Sequence, residues 1–190
     1  MNAKAVITQR IDAVLKPLQF KRKKLVWNRK SGSFVDVVDV QISKAGDMIT
    51  INAGVAHSDV YAKCWENVLP EFVEEPYCIV RARIGELIGD TDLWWKVDTN
   101  DVADDLAEKV ITHVLPFLNQ MHSVDAMERL LTNAQVVKQK YPPPIIYLAI
   151  LKCEQGDTKA ACALLDKLKE QTTEAWQSRV SHIAHILSCL

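Results

Sequence analysis

The spacing of the apolar residues changes near Pro17, and that change constrains the fold more than any other feature. Ile7, Ile11, Val14, Leu15 and Leu18 recur at helical spacing, which predicts an amphipathic helix over residues 3–16. Pro17 ends it, because its ring removes a donor and clashes with the preceding turn. The period then becomes two. Phe34, Val38, Val40 and Ile42 share one face of a strand, and Val35, Val37, Asp39 and Gln41 share the other. In the next strand Ile49, Ile51, Ala53 and Val55 point one way, and Met48, Thr50, Asn52 and Gly54 the other. A further strand over residues 77–84 sets Cys78, Val80, Ala82 and Ile84 against Tyr77, Ile79, Arg81 and Arg83.

Ser31-Gly32-Ser33 and Ala45-Gly46-Asp47 are the intervening turns. Connections this short make an antiparallel meander. The expected fold is therefore α+β: an N-terminal helix on a roughly four-stranded antiparallel sheet, followed by a helical C-terminal half. The helix covers the apolar face. The other face carries Asp39, Gln41, Thr50, Asn52, Arg81 and Arg83, and an antiparallel sheet can leave such a face wet.

Helical spacing returns with Val102, Leu106, Val110 and Val114, capped by Thr99 or Asn100, and Pro116 is expected to kink or end that helix. Residues 123–140 read as a helix capped by Ser123. Pro142-Pro143-Pro144 breaks it, and a helical hairpin turning at Gly156-Asp157 and a last helix over 173–190 follow. The natural division is an α+β domain over 1–122 and a helical extension over 123–190.

With 190 residues, 48% hydrophobic and 25% charged, the chain can build a core without a disulfide or a metal. Cys64, Cys78, Cys153, Cys162 and Cys189 are odd in number and contain no C-x-x-C pair, which predicts reduced structural thiols. No apolar run suits a membrane span and the first residues lack a signal core, so the expected location is cytoplasmic.

The net charge of −1 hides a polarised chain. Residues 1–30 hold nine Lys/Arg against one acid, Asp12; residues 31–105 hold five against fifteen. The two blocks are expected to fold against each other and partly cancel. The run Lys21–Lys24 with Trp27, Arg29 and Lys30 could bind nucleic acid, but reads more simply as a charged edge strand that resists aggregation.

Taken in order, Leu15-Lys-Pro-Leu-Gln-Phe20, Trp27-Asn-Arg29, Val40-Gln-Ile-Ser43 and Ile51-Asn-Ala-Gly-Val55 carry a family likeness. Arg81-Ala-Arg83-Ile-Gly-Glu-Leu87, Trp94-Trp95 and Leu115-Pro-Phe-Leu118 continue it. The chain resembles the bacterial domain-of-unknown-function family 4304 over about residues 3–131. That resemblance implies an α+β domain and brings no catalytic residues. Leu148–Leu165 resembles the helical hairpin of a tetratricopeptide repeat, of which one unit is visible.

Arg81 and Arg83, two apart on a strand, leave one face and could clamp an anion or pair with acids inside the fold. Of Trp94 and Trp95, one ring should point inward and one outward, and an outward tryptophan is an anchor for binding. His182, His185 and Cys189 share a helix face opposite Trp176, Val180, Ile183, Leu187 and Leu190, but a metal there lacks support, and none is expected. The acids Asp90, Asp92, Asp98 and Asp101 lack calcium-loop spacing.

No nucleophile elbow, P-loop or dinucleotide fingerprint is present. The reading leans to a non-enzymatic protein-binding module without cofactor, using Asp39, Gln41, Arg81, Arg83, Trp94 and Trp95 toward another protein, with no membrane and nucleic acid set aside. Within that class an immunity-type protein that neutralises a bacterial toxin is preferred. The alternatives are a small-anion domain or enzyme with a pocket near Arg81 and Arg83, or a nucleic-acid domain using residues 21–30. Oligomeric state is left open.

Overall fold

A computed structural model of the chain describes residues 3–89, 91–97, 101–132 and 141–189. The chain forms two compact units, one from Met1–Ala56 and Pro70–Gln120, the other from His57–Leu69 and Met121–Leu190.

The first unit is a sheet with helices. Helix α1 spans Ala3–Leu15 and runs into a single 3-10 turn, Lys16–Leu18, that contains Pro17. Strands β1 (Lys21–Lys23), β2 (Val26–Ser31), β3 (Phe34–Ile42) and β4 (Met48–His57) follow. Then come β5 (Val80–Arg83), α3 (Ile84–Ile88) and β6 (Trp95–Lys96). The sheet order is β1-β2-β3-β4-β5, with β6 also paired to β4, and each pairing for which a register is defined is antiparallel. The sheet thus has more strands than the four expected. The basic run expected as a charged edge strand is at the sheet edge, divided by a turn at Lys24-Leu25 into β1 and β2, and β6 adds two residues.

The expected strand over 77–84 is shorter than its alternation suggested. A 3-10 turn occupies Glu75–Tyr77, and α3 begins at Ile84, so only Val80–Arg83 pair as a strand. Pro76 at the start of that turn explains the difference, since it fixes the turn backbone and donates nothing to a ladder.

Ile7, Ile11 and Leu15 of α1 are buried with Trp27, Val38, Val40, Ile51, Ala53 and Val55. Trp27 Nε1 donates to Asp12 Oδ1 at 2.8 Å, which ties the sheet to α1 on that face. Asp12 also meets Lys16 and Arg22. Burial would raise the Asp12 carboxyl, but the bonds from Lys16 and Trp27 and the charge of Arg22 hold it below the usual carboxylate range. Asp36, fully buried, pairs with Arg29 at 2.7 Å on the same face.

Helix α4 spans Asp101–Lys109, and the helical path continues through a π turn, Val110–Val114, into α5, Leu115–Gln120. Pro116 therefore neither ends nor visibly breaks the helix. The π turn just before it lets Leu115 N–H reach back to Val110 O, a wider loop that helps accommodate the ring and its missing donor. The proposed caps Thr99 and Asn100 lie outside the described residues, as do the last part of the helix expected over 123–140 and Leu190.

The second unit is helical. It contains α2 (Ser58–Trp65), α6 (Val124–Leu131), α7 (Pro143–Glu154), α8 (Thr158–Gln171) and α9 (Glu174–Ile186). Ser123 caps α6 through Ala126 N–H. Helix α7 is apolar almost throughout: Ile146, Leu148, Ala149 and Ile150 are fully buried, and it packs against α2, α6 and α8. Gly156, in the left-handed region at φ +86, turns the α7–α8 hairpin, and Asp157 Oδ1 accepts from Ala160 N–H at 3.0 Å to start α8.

Two of the five cysteines depart from the reduced state expected. Cys162 and Cys189 form a disulfide, with Cα atoms 5.2 Å apart. The turn between α8 and α9 folds the chain end back onto α8, a proximity that linear spacing cannot reveal. Cys64, Cys78 and Cys153 are free. Among the described residues no helix is long and apolar enough to cross a membrane.

Candidate functional site

The β4–β5 register puts Asn52 opposite Arg83 and Gly54 opposite Arg81, so both arginines leave the sheet on the polar side of β4. Asp39 and Gln41 of β3 share that side, since Asn52 Nδ2 donates to Gln41 Oε1 at 3.0 Å and to Asp39 Oδ2 at 3.3 Å. Part of this face is covered. Asn28 of β2 holds the backbone of Val73 with both ends of its amide, donating to the carbonyl at 2.9 Å and accepting from the N–H at 2.6 Å. Val73 is buried there, as is Val37 opposite Asn28. What remains open is the end that carries Asp39, Gln41, Asn52, Arg81 and Arg83.

Arg83 organises that end. Its Nε donates to Asn52 Oδ1 at 3.2 Å, one terminal nitrogen to Gln41 Oε1 at 3.3 Å and the other to Asp92 Oδ1 at 2.6 Å. The guanidinium lies over Trp94, 5.3 Å from the ring centroid. Glu86 accepts from the Arg83 backbone N–H at 2.7 Å, which fixes the strand end from which the side chain springs. Arg81 is exposed and meets Glu75 at 3.5 Å.

Charge on this face is unevenly settled. Burial pushes the Asp39 carboxyl up; the bond from Asn52 opposes that and the nearby Glu74 adds to it. Burial also raises Glu75, Arg81 lowers it and Asp39 raises it again. Asp92, in water, is held low by the bonds from Arg83 and then Trp94. Asp39, Glu74, Glu75 and Asp92 outnumber the two arginines, so the face is acidic on balance.

Trp94 and Trp95 part as alternation requires. Trp95 pairs with Ile49 and so takes the covered side of the sheet, where its Nε1 donates to Asp105. Trp94 takes the open side. Both rings are half-buried, so neither is a core residue in the full sense. Of the six residues singled out from the sequence, Asp39, Gln41, Arg83 and Trp94 are thus gathered through Asn52 and Arg83, Arg81 stands on the same face with Glu75, and Trp95 stands apart. Asp92 and Glu75 were missed as members, because each comes from an irregular segment or turn whose course over the sheet leaves no periodic signal. Gly85, the close-approach point for the 91–93 segment, was the available hint: a Cβ there would overlap the Thr91 carbonyl.

Elsewhere, His182 faces Glu66 at 3.4 Å and Cys189 is in the disulfide, so the His182–His185–Cys189 trio does not form a ligand set. Among the described residues no group of three or more His, Cys, Asp or Glu could hold a metal ion. The ion pairs Arg10–Asp104 and Arg29–Asp36 join the basic first thirty residues to the acidic block.

The fold and this face define an α+β domain with a helical partner unit. Residues 11–120 match the family described as Domain of unknown function (DUF4304), and the chain belongs to it. No curated protein and no solved structure matches the chain.

Proposed function

We propose that this protein is a protein-binding module that docks its partner on the open end of the sheet. The observation that carries the reading is the Arg83 network: an arginine held by Asn52, Gln41 and Asp92 beside a half-exposed tryptophan. Arginine and tryptophan are the residue types that dominate binding energy at interfaces. Here they are positioned in advance, so little side-chain entropy is lost when a partner docks.

Within that class the favoured role is an immunity-type protein that neutralises a toxic enzyme. The acidic excess of the face suits a basic enzyme surface and would speed encounter with it. The anion-pocket alternative draws less support, because Arg81 and Arg83 already have carboxylate partners in Glu75 and Asp92 that an anion would have to displace. A cytoplasmic site of action belongs to this proposal too, and the Cys162–Cys189 disulfide weighs against it, since such bonds are rare in reducing compartments.

The test is affinity capture from cells that make the protein, comparing the wild type with Arg83→Ala/Trp94→Ala. A stoichiometric partner held by the wild type and lost by the double variant supports the reading. Equal capture by both overturns the assigned face.

A further inference from the structure

The helical unit carries an inference that does not depend on the docking face. Cys162 of α8 is bonded to Cys189, which lies just past the end of α9, and both residues are half-exposed. We propose that this disulfide is a redox latch: its reduction by a dithiol or by glutathione releases α9 from α2, and its reoxidation docks α9 again. The three helices involved, α2, α8 and α9, all belong to the second compact unit.

The end of α9 is shaped to present Cys189. Cys189 N–H donates to Ala184 O at 2.9 Å, and Ser188 N–H donates to His185 O at 3.0 Å. These are the paired bonds of a Schellman turn, which needs a left-handed residue next to its last position. Ser188 fills that place at φ +59, where glycine would sit with less strain. The turn folds the backbone back over the last turn of α9 and sets the Cα of Cys189 5.2 Å from that of Cys162.

The contacts that hold α9 apart from this bond are slight. Helix α9 packs against α8, yet of the α8 residues only Ala161 and Leu165 are buried, so the apolar surface α8 can offer is narrow. Toward α2 the contacts are polar or ring to ring. Arg179 donates to Cys64 O at 3.0 Å and lies over Trp65, 5.5 Å from the ring centroid. Arg179 and His182 meet Glu66 at 3.8 and 3.4 Å, and Trp176 packs edge-on against Trp65 with centroids 6.2 Å apart. Ion pairs this exposed contribute little. Cys64, whose carbonyl Arg179 holds, is fully buried, and burial pushes its thiol up to about 12, which keeps it unreactive.

The chemistry is a two-electron exchange. A dithiol gives two electrons and two protons to the sulfur pair, leaving thiols at Cys162 and Cys189 and the reductant as its own disulfide. Closure runs the other way, with oxidised glutathione taking the electrons and protons through a mixed disulfide. Half-exposed residues admit either reagent, and accessible disulfides are the labile, regulatory ones. Breaking the cross-link frees a loop of 27 residues, which raises the opening of α9 roughly three-hundredfold. Opening uncovers Cys64, Trp65 and the C-terminal end of α2, a local event of the kind that leaves the rest of a fold in place.

The experiment is timed alkylation of the native full chain with N-ethylmaleimide, each cysteine being quantified by peptide mass spectrometry. The protein is first equilibrated in glutathione buffers that span cytosolic and secretory ratios, and the glutathione is removed before labelling. Cys162 and Cys189 should pass from disulfide to thiols within that span. Once they are reduced, alkylation of Cys64 should accelerate roughly three-hundredfold. Cys78, buried in the sheet unit, should keep its rate, and reoxidation should restore the protection of Cys64. Cys162→Ser/Cys189→Ser should show the fast Cys64 rate in every buffer, and reduction of the wild type tests the same step without a substitution. A disulfide that stays closed, or stays open, across the whole span would overturn the latch. So would a Cys64 that remains protected after reduction, or a Cys78 uncovered together with it, which would mean global unfolding.

Discussion

Arg83 stacks on Trp94, its guanidinium carbon 5.3 Å from the ring centroid, while its three nitrogens reach Asn52, Gln41 and Asp92. The pair joins the end of β5 to the residue just before β6, and it makes Trp94 an oriented ring instead of a loose one. Substituting Arg83→Ala or Trp94→Ala should each weaken partner binding at least tenfold, about 1.4 kcal/mol, with little loss of fold because both side chains are partly exposed. Trp95→Ala, on the other side of the sheet, should act on stability through its lost bond to Asp105 and leave binding nearly intact. Titration calorimetry with the captured partner and urea melts of the free protein separate the two effects.

Gly85 decides whether the 91–94 segment can lie where it does. A Cβ at this buried position would overlap the carbonyl oxygen of Thr91 and crowd the backbone nitrogen of Leu93. Thr50 holds the same segment from below, its hydroxyl donating to Leu93 O at 2.8 Å. The variant Gly85→Ala is expected to cost about 1–3 kcal/mol and to weaken binding as well, because Asp92 and Trp94 move with the backbone. Normal affinity in that variant would show that the position of the segment is immaterial.

Asp39 predicts a pH signature. Its folded-state pKa is raised, first by burial and then by Glu74, against the bond from Asn52. A carboxyl raised in the folded state contributes most below its unfolded pKa, near 3.8, and loses that contribution as pH rises through the folded value. Asp39→Asn keeps an acceptor for Asn52 and removes the charge. It should therefore raise stability by about 0.5–1 kcal/mol at pH 7 and by almost nothing at pH 3, as read by urea melts at the two values. If the position serves docking, the same change weakens the partner complex while it strengthens the fold.

The disulfide is open to a simple count. Protein denatured without reductant should show three reactive thiols, Cys64, Cys78 and Cys153, and five after reduction. Closing a loop of 27 residues constrains the unfolded chain by roughly 3.5 kcal/mol, so Cys189→Ser should lower the stability of the helical unit by about that amount. Five thiols before reduction would restore the reading of five reduced cysteines.

Periodicity exposed much of this fold in advance, and where it failed the reason is local. The alternation around Val38, Ile51 and Val80 placed the central strands and separated Arg81 and Arg83 from the core, since register follows directly from a buried face. The basic run was legible as an edge strand, but not the turn at Lys24-Leu25 that divides it into β1 and β2, and β6 gave no signal because it is two residues long. The continuation through Pro116 depends on a π turn, which apolar spacing does not signal. At the docking face the strand residues Asp39, Gln41, Arg81 and Arg83 were legible, whereas Glu75 and Asp92 come from a turn and an irregular segment that cross the sheet. The Cys162–Cys189 pair required knowing how the last helices fold back.

The central claim is that a protein partner docks on the open end of the sheet. The most direct measurement is quantitative capture from the native lysate by three baits: wild type, Arg83→Ala/Trp94→Ala, and Lys44→Glu as an exposed control. The account predicts one stoichiometric protein on the wild type and on the control, and its loss from the double variant. The same protein retained in full by the double variant, or no protein on the wild type, would contradict it.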